Sequence, residues 1–331
     1  MSERLLVWPV RVGQRAQPQR IRDRVVPALL RFAVAVSRTI FRGRGVGFAC
    51  TVAAHLVGSG GQTSFQLGGG GAFLVTVDDT YWLQPLLLDC SYELDLDHFL
   101  RRTLTSRDVF LDCGANLGLW SIAAARVIRD PERVVAVEAG SRTFAGLIAN
   151  WQANDRSFTP LHRAISDVTG REASFFASVG DHASATLVEG LAPDDAQQEI
   201  IATVSLLDIA AEQMSGDTGN RLVFVKLDIE GMERQVLATI DPQEHGNFVI
   251  LYEDHGSDTT HVTAFLLERG FEVAFIADDG TLEQIRRTTL HRLDALKVNP
   301  ERGYNLLAVA ARGTAASRLA ELYPELELGL I

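Results

Sequence analysis

Several apolar runs in this sequence end in acidic or small residues, and the spacing of those residues suits a charged organic ligand. Asp112-Cys-Gly-Ala-Asn-Leu-Gly118 follows the run Val109-Phe-Leu111. Gly114 and Gly118 let a backbone turn sharply and come close to a ligand, and a helix starting there offers free amides. The glycine fingerprint of dinucleotide sites is absent: Asn116 replaces its second glycine, and Leu119 stands in place of the third. Asp112 at such a turn repels a pyrophosphate but attracts an ammonium group, such as that of a methionine moiety. Glu138 closes the next run, Arg133-Val-Val-Ala-Val-Glu138. An acid there is placed to take up ribose hydroxyls; a solvated charge at a strand end is the other reading. Ser166 and Asp167, in Ala164-Ile-Ser-Asp167, either meet an adenine ring or form a plain turn.

A second set of acids follows. Lys226-Leu-Asp-Ile-Glu-Gly-Met-Glu233 puts Asp228 and Glu230 at the carboxyl end of an apolar strand, where open α/β sheets bind ligands. Glu253-Asp254-His255 ends the following apolar run, Phe248–Tyr252. Neighbouring strand ends bring Asp228 near Glu253 and Asp254, an oxygen-rich set suited to magnesium. The competing reading is metal-free: the carboxylates bind substrate hydroxyls or act as a base, with Asp228, Glu230 and His255 as the catalytic candidates. His182 lies on a polar insertion, Ser178–Glu199, that covers an acceptor or is merely solvated.

These residues need a scaffold, and the pattern after Arg107 supplies one. Apolar runs at 109–112, 133–138, one ending near 164–165, and 222–228, 248–252, 271–277 and 304–311 alternate with helical stretches. Uninterrupted apolar strands between helices indicate a doubly wound, mostly parallel α/β sheet, here of seven strands. Residues 107–331 form this ligand-binding domain. Residues 46–106 read as a smaller β-rich and helical subdomain, with strand-like runs at Ala72–Val77 and Trp82–Leu88. The Gly68–Gly71 run reads as a hairpin connection, because no Gly-Lys-Ser/Thr follows it to cradle phosphate.

Residues 1–45 form a basic extension, an aperiodic arm over 1–20 and an amphipathic helix over Ile21–Phe41. They hold ten arginines against Glu3 and Asp23, a balance of +8 that leaves the remainder at −19 of the overall −11. The helix packs on its own protein or a sister subunit, or contacts an anionic membrane surface peripherally. The acidic body argues against nucleic acid as a partner. Cys50, Cys90 and Cys113 lack metal-ligand spacing and suit buried thiols in a reducing compartment. No run reads as a membrane span or a signal peptide, so a cytoplasmic enzyme is expected.

Taken in order, Asp112–Gly118, Val137-Glu138, Ala164–Asp167 and Lys226–Glu233 resemble the motifs of the FkbM-type methyltransferases. Ser91-Tyr-Glu93 resembles the tyrosine-glutamate step before that family's first strand. The resemblance spans about Tyr92–Ala311; Cys113 departs from it, since an aliphatic residue is usual there, and residues 1–90 match no pattern. It implies a Rossmann-like class I fold and methyl transfer from S-adenosylmethionine to hydroxyls of sugars, glycolipids or polyketide-like products. It implies that Asp112, Gly114, Asn116 and Gly118 frame the methionine end and Glu138 holds the ribose. Ser166 and Asp167 then flank the adenine, and Asp228 lies beside the methyl. Two alternatives stand: a nicotinamide-dependent oxidoreductase, disfavoured by the missing glycines, and a non-catalytic partner in glycan assembly. A small-molecule or glycan acceptor and a homo-oligomer complete the expectation.

Overall fold

The computed structural model describes residues 6–12, 32, 36, 62–68, 70–76, 79–88, 92–178, 185–192, 194–215, 221–229, 231–255, 261–297 and 303–328. The chain divides into two compact units, Met1–Tyr92 with Ala145–Arg156, and Glu93–Phe144 with Ser157–Ile331.

In the first unit β1 (Leu6–Val12), β2 (Gln62–Leu67) and β3 (Ala72–Thr76) form an antiparallel sheet in that order. Leu6–Val12 was expected within an aperiodic arm and is instead an edge strand. Its register shifts on both sides of Pro9, which has no N–H to give a ladder and is tolerated at edges and bulges. Of the Ile21–Phe41 helix only Phe32 and Val36 are described, both helical; the rest lies outside the described residues. Trp82–Leu88, expected as strand-like, belongs to a helix, Thr80–Leu88. The Asp79 carboxylate accepts from the Trp82 amide at 3.2 Å, the bond by which an acid starts a helix. The free edge of β3 is covered by two buried asparagines of the helix Ser141–Ala153 and the turn after it. Asn150 bonds both backbone groups of Leu74, and Asn154 both of Ala72.

In the second unit the parallel strands β4 (Val109–Cys113) and β5 (Val134–Glu138) are completely buried, which is why they read as continuous apolar runs. β6 (Thr159–His162) pairs with β5. The chain then leaves the main sheet. β7 (Ala164–Ser166), β8 (Glu172–Ala177) and β9 (Gln197–Ser205) make a separate sheet in the order β7-β9-β8. β10 (Val223–Leu227) returns beside β4, and β11 (Phe248–His255) lies parallel to β10. β12 (Phe271–Ile276), β13 (Leu282–Ile285) and β14 (Gly303–Ala310) close the antiparallel side. The order is β13-β12-β14-β11-β10-β4-β5-β6, an α/β, Rossmann-like arrangement with a parallel centre. It holds six of the seven runs expected, without the run at 164–165, and β6 and the edge strand β13 bring it to eight. Helices Leu119–Ile128, Ser141–Ala153, Glu233–Leu237 and His261–Glu268 follow β4, β5, β10 and β11. Among the described residues no helix is long and apolar enough to cross a membrane.

Candidate active site

The carboxyl ends of β10, β4 and β5 lie side by side, with Lys226 opposite Asp112 and Leu227 opposite Cys113 in register. Beyond them the strands are tied by their own backbone. The Asp228 amide donates to the Cys113 carbonyl at 3.0 Å, and the Gly114 and Ala115 amides donate to the Val137 carbonyl at 3.0 and 2.9 Å. Gly114 has φ +81°, and a Cβ there would lie 1.8 Å from the Asp228 carbonyl oxygen. Only glycine fits that approach. Asn116 (φ +51°) and Gly118 (φ +85°) are also left-handed. Gly118 opens the helix Leu119–Ile128 without a side-chain cap, so the first amides of that helix have no intrahelical acceptor.

Glu138 organises this turn from the neighbouring strand. Its Oε2 accepts from the Asn116 amide at 2.8 Å, and its Oε1 accepts from the Gly140 amide at 2.8 Å and Thr143 Oγ1 at 2.7 Å. Burial raises its pKa above the usual glutamate value, opposed by those three donors. Glu138 is therefore not a solvated strand-end charge; it clamps the glycine turn to the start of the next helix. Asp112 is likewise enclosed. Its Oδ2 accepts from Ser121 Oγ at 2.6 Å, and burial raises its pKa against the pull of Lys226 and Ser121. The Cys113 thiol is pushed up by burial and is inert.

Lys226 is the centre of the charge pattern. Its Nζ lies 2.9 Å from Asp228 Oδ2, and the lysine side chain is 8% exposed against 34% for the aspartate. Burial pulls this lysine down, but Asp228, Glu93 and Asp112 together hold it above the ordinary lysine value. Glu93 enters from the loop before the helix Leu94–Thr103, where its Oε2 accepts from the Trp120 indole N–H. Neither residue had a role assigned from sequence. A lone lysine inside the apolar run Leu222-Val-Phe-Val-Lys-Leu227 is the signal for the first, since a buried ammonium requires acids around it. Ser91-Tyr-Glu93 marks Glu93 in the sequence as part of a motif, but its contact with Trp120 spans 27 residues of chain and is not legible there.

The other expected residues fall in different places. Ser166 donates to Asp167 Oδ1 at 2.9 Å. With Gln235 this bond lowers the pKa of Asp167, and no described contact joins the pair to Glu138. Glu230, His182 and the side chain of His255 lie outside the described residues.

The magnesium set does not form. β10 and β11 are neighbours as expected, but Asp254 is 2% exposed. It makes an ion pair with Lys297 at 3.0 Å and accepts from Thr263 Oγ1 at 2.8 Å. Asp228 is engaged by Lys226, and Glu253 packs against Gly303, where a Cβ would meet its carboxylate. Successive strand residues point to opposite faces, so Glu253 and Asp254 cannot serve one ion together. Among the described residues no group of three such ligands converges.

Residues 112–273 match the methyltransferase FkbM domain. No curated protein matches the chain. Among solved structures it is similar to the precorrin-6y C5,15-methyltransferase of Geobacter metallireducens GS-15, with 16% identity and a TM-score of 0.35 over 66% of this chain and 87% of that one. It is similar also to the FkbM methyltransferase of Methylobacillus flagellatus KT, with 15% identity and a TM-score of 0.36 over 70% of this chain and 54% of that one. A third similar structure is the tRNA m1G37 methyltransferase of M. jannaschii, with 15% identity and a TM-score of 0.37 over 75% of this chain and 53% of that one.

Proposed function

Through residues 112–273 the chain belongs to the FkbM-type methyltransferase family, and from that premise we propose that it moves a methyl group from S-adenosylmethionine to a hydroxyl oxygen. The acceptor we propose is a sugar, glycolipid or polyketide-like compound. The observation that carries this reading is the Glu138 clamp on the Gly114–Gly118 turn, beside an uncapped helix N-terminus.

The residues fit such a cofactor. When bound, it supplies an electrophilic methyl on a cationic sulfonium, and around the turn the carboxyl groups of Asp112, Glu138 and Asp228 outnumber the one cation among the described residues there, Lys226. That excess favours a cationic ligand and opposes the pyrophosphate of a nicotinamide cofactor. Glu138 has about four lone-pair positions and uses three, leaving one for a ribose hydroxyl. Asp112 acts through Ser121, holding the first turn of the helix whose free amides face the ligand. Asp228, fixed by Lys226 and partly exposed, lines the acceptor side. Ser166 and Asp167 form the adenine edge. Alignment of the acceptor oxygen in line with the methyl supplies much of the acceleration.

Methyl-tritiated S-adenosylmethionine offered with a panel of glycosides, glycolipids, polyketide-like alcohols and a transcribed tRNA tests the reading. Label in a hydroxylated small acceptor is expected. Label in the tRNA alone would overturn the acceptor class, and label in none would overturn the activity.

A further inference from the structure

We propose that Glu93, which precedes the matched domain, is the group that takes the proton from the acceptor hydroxyl. The inference rests on the methyltransferase reading and adds a catalytic residue to it.

Three observations place Glu93 for this task. Its Oε2 is anchored by the Trp120 indole, on the second residue of the helix that opens at the glycine turn. Among the described residues its Oε1 accepts no hydrogen bond. Its backbone is left-handed, φ 43° and ψ 65°, a conformation that costs a non-glycine residue free energy and is held here by its surroundings. The other acids are committed differently. Glu138 has three donors and Asp112 is sealed by Ser121, while Asp228 is tied to a cation. Glu93 combines an anchoring bond from a neutral donor with an oxygen that accepts no hydrogen bond among the described residues, and it is less enclosed than Asp112, which is 1% exposed.

The groups facing Glu93 are Lys226 and Asp228 from β10 and its end, Glu253 from β11, and Asp95 from its own helix. Burial raises its pKa to about 8; Lys226 opposes the rise, and Glu253, Asp95 and Asp228 add to it. A base poised there is matched to operation near neutrality. The step balances. The acceptor O–H proton passes to Glu93 Oε1 as the oxygen lone pair forms the new bond to the methyl carbon. The carbon–sulfur bond breaks with its pair going to sulfur, leaving a neutral thioether. Glu93 then returns its proton to solvent.

The test uses the full chain. In the cofactor-free protein the Trp120 indole N–H resonance, assigned with W120F, should titrate with a midpoint near pH 8, where burial pushes Glu93, and E93Q should abolish that titration. E93Q should bind S-adenosylhomocysteine within about threefold of the parent. Its kcat, on whichever acceptor takes label in the panel, should fall roughly 10²–10⁴-fold, with the rise of activity through pH 8 lost. E93D should recover part of it. An indole resonance flat from pH 6 to 10 overturns the proposal even if E93Q fails to fold. So does an E93Q enzyme with parental kcat and pH profile. A parent that does not bind S-adenosylhomocysteine overturns the methyltransferase reading instead.

Discussion

Replacing Glu138 by alanine is expected to weaken the fold as well as the cofactor site. The sequence alone suggests a residue that touches only the ribose, whose removal leaves the cofactor-free melting temperature unmoved. The structure gives it three protein donors, the amides of Asn116 and Gly140 and the Thr143 hydroxyl, at 2.8, 2.8 and 2.7 Å. A hydrogen bond to a charged group contributes about 1.5–3 kcal/mol, and a buried donor left unpaired costs about 1–3 kcal/mol. Thr143 can fall back on the Gly140 carbonyl at 2.9 Å, so two amides carry the loss. Relief from burying the carboxylate offsets part of it, since burial is the largest influence on Glu138. A net loss of about 2–3 kcal/mol remains, which lowers Tm by roughly 5–10 °C for a unit of this size. Affinity for S-adenosylhomocysteine should fall about tenfold or more. Scanning calorimetry without ligand and titration calorimetry with it read the two effects separately. An unchanged Tm would refute the clamp, and an unchanged affinity would refute the ribose contact.

Other perturbations discriminate as sharply. Gly114→Ala should give no folded second unit by circular dichroism, because the new Cβ would lie 1.8 Å from the Asp228 carbonyl oxygen. Lys226→Met should cost about 3 kcal/mol in urea unfolding, the low end for breaking a buried pair, because Asp228 keeps 34% of its side-chain surface. Asp254→Asn should lower stability in urea unfolding by removing the buried charge beside Lys297, while EDTA leaves the parent's Tm unchanged; a large EDTA effect would restore the metal. Because Glu93 rises from 4.5 to about 8, the folded state binds more protons than the unfolded one between those values. Stability should therefore fall as pH rises through that window, and E93Q should flatten the fall.

The parallel centre of the sheet was readable because strands buried on both faces leave unbroken apolar runs such as Val109-Phe-Leu111 and Val134–Val137. The glycine turn was readable because Gly114 and Gly118 answer a backbone requirement. What escaped was set by tertiary contacts. Trp82–Leu88 is a short apolar run with no periodicity to separate strand from helix, and only the Asp79 cap decides it. Ala164–Ser166 is too short to announce that it leaves the main sheet for β9. In β11 both faces are covered, so composition cannot tell which of Glu253 and Asp254 points toward Lys297. Ser91-Tyr-Glu93 marks Glu93 in the sequence, but its partners Trp120 and Lys226 come to it by tertiary contact and no local motif records them.

The Gly114–Gly118 turn with Glu138 is expected to accept S-adenosylmethionine and not a nicotinamide nucleotide. Titration calorimetry of the full chain with S-adenosylhomocysteine and, in a separate cell, with NAD measures this directly. Saturable binding of S-adenosylhomocysteine, weakened in Glu138→Ala, with no heat from NAD, is the predicted result. Saturable binding of NAD with none of S-adenosylhomocysteine would contradict it.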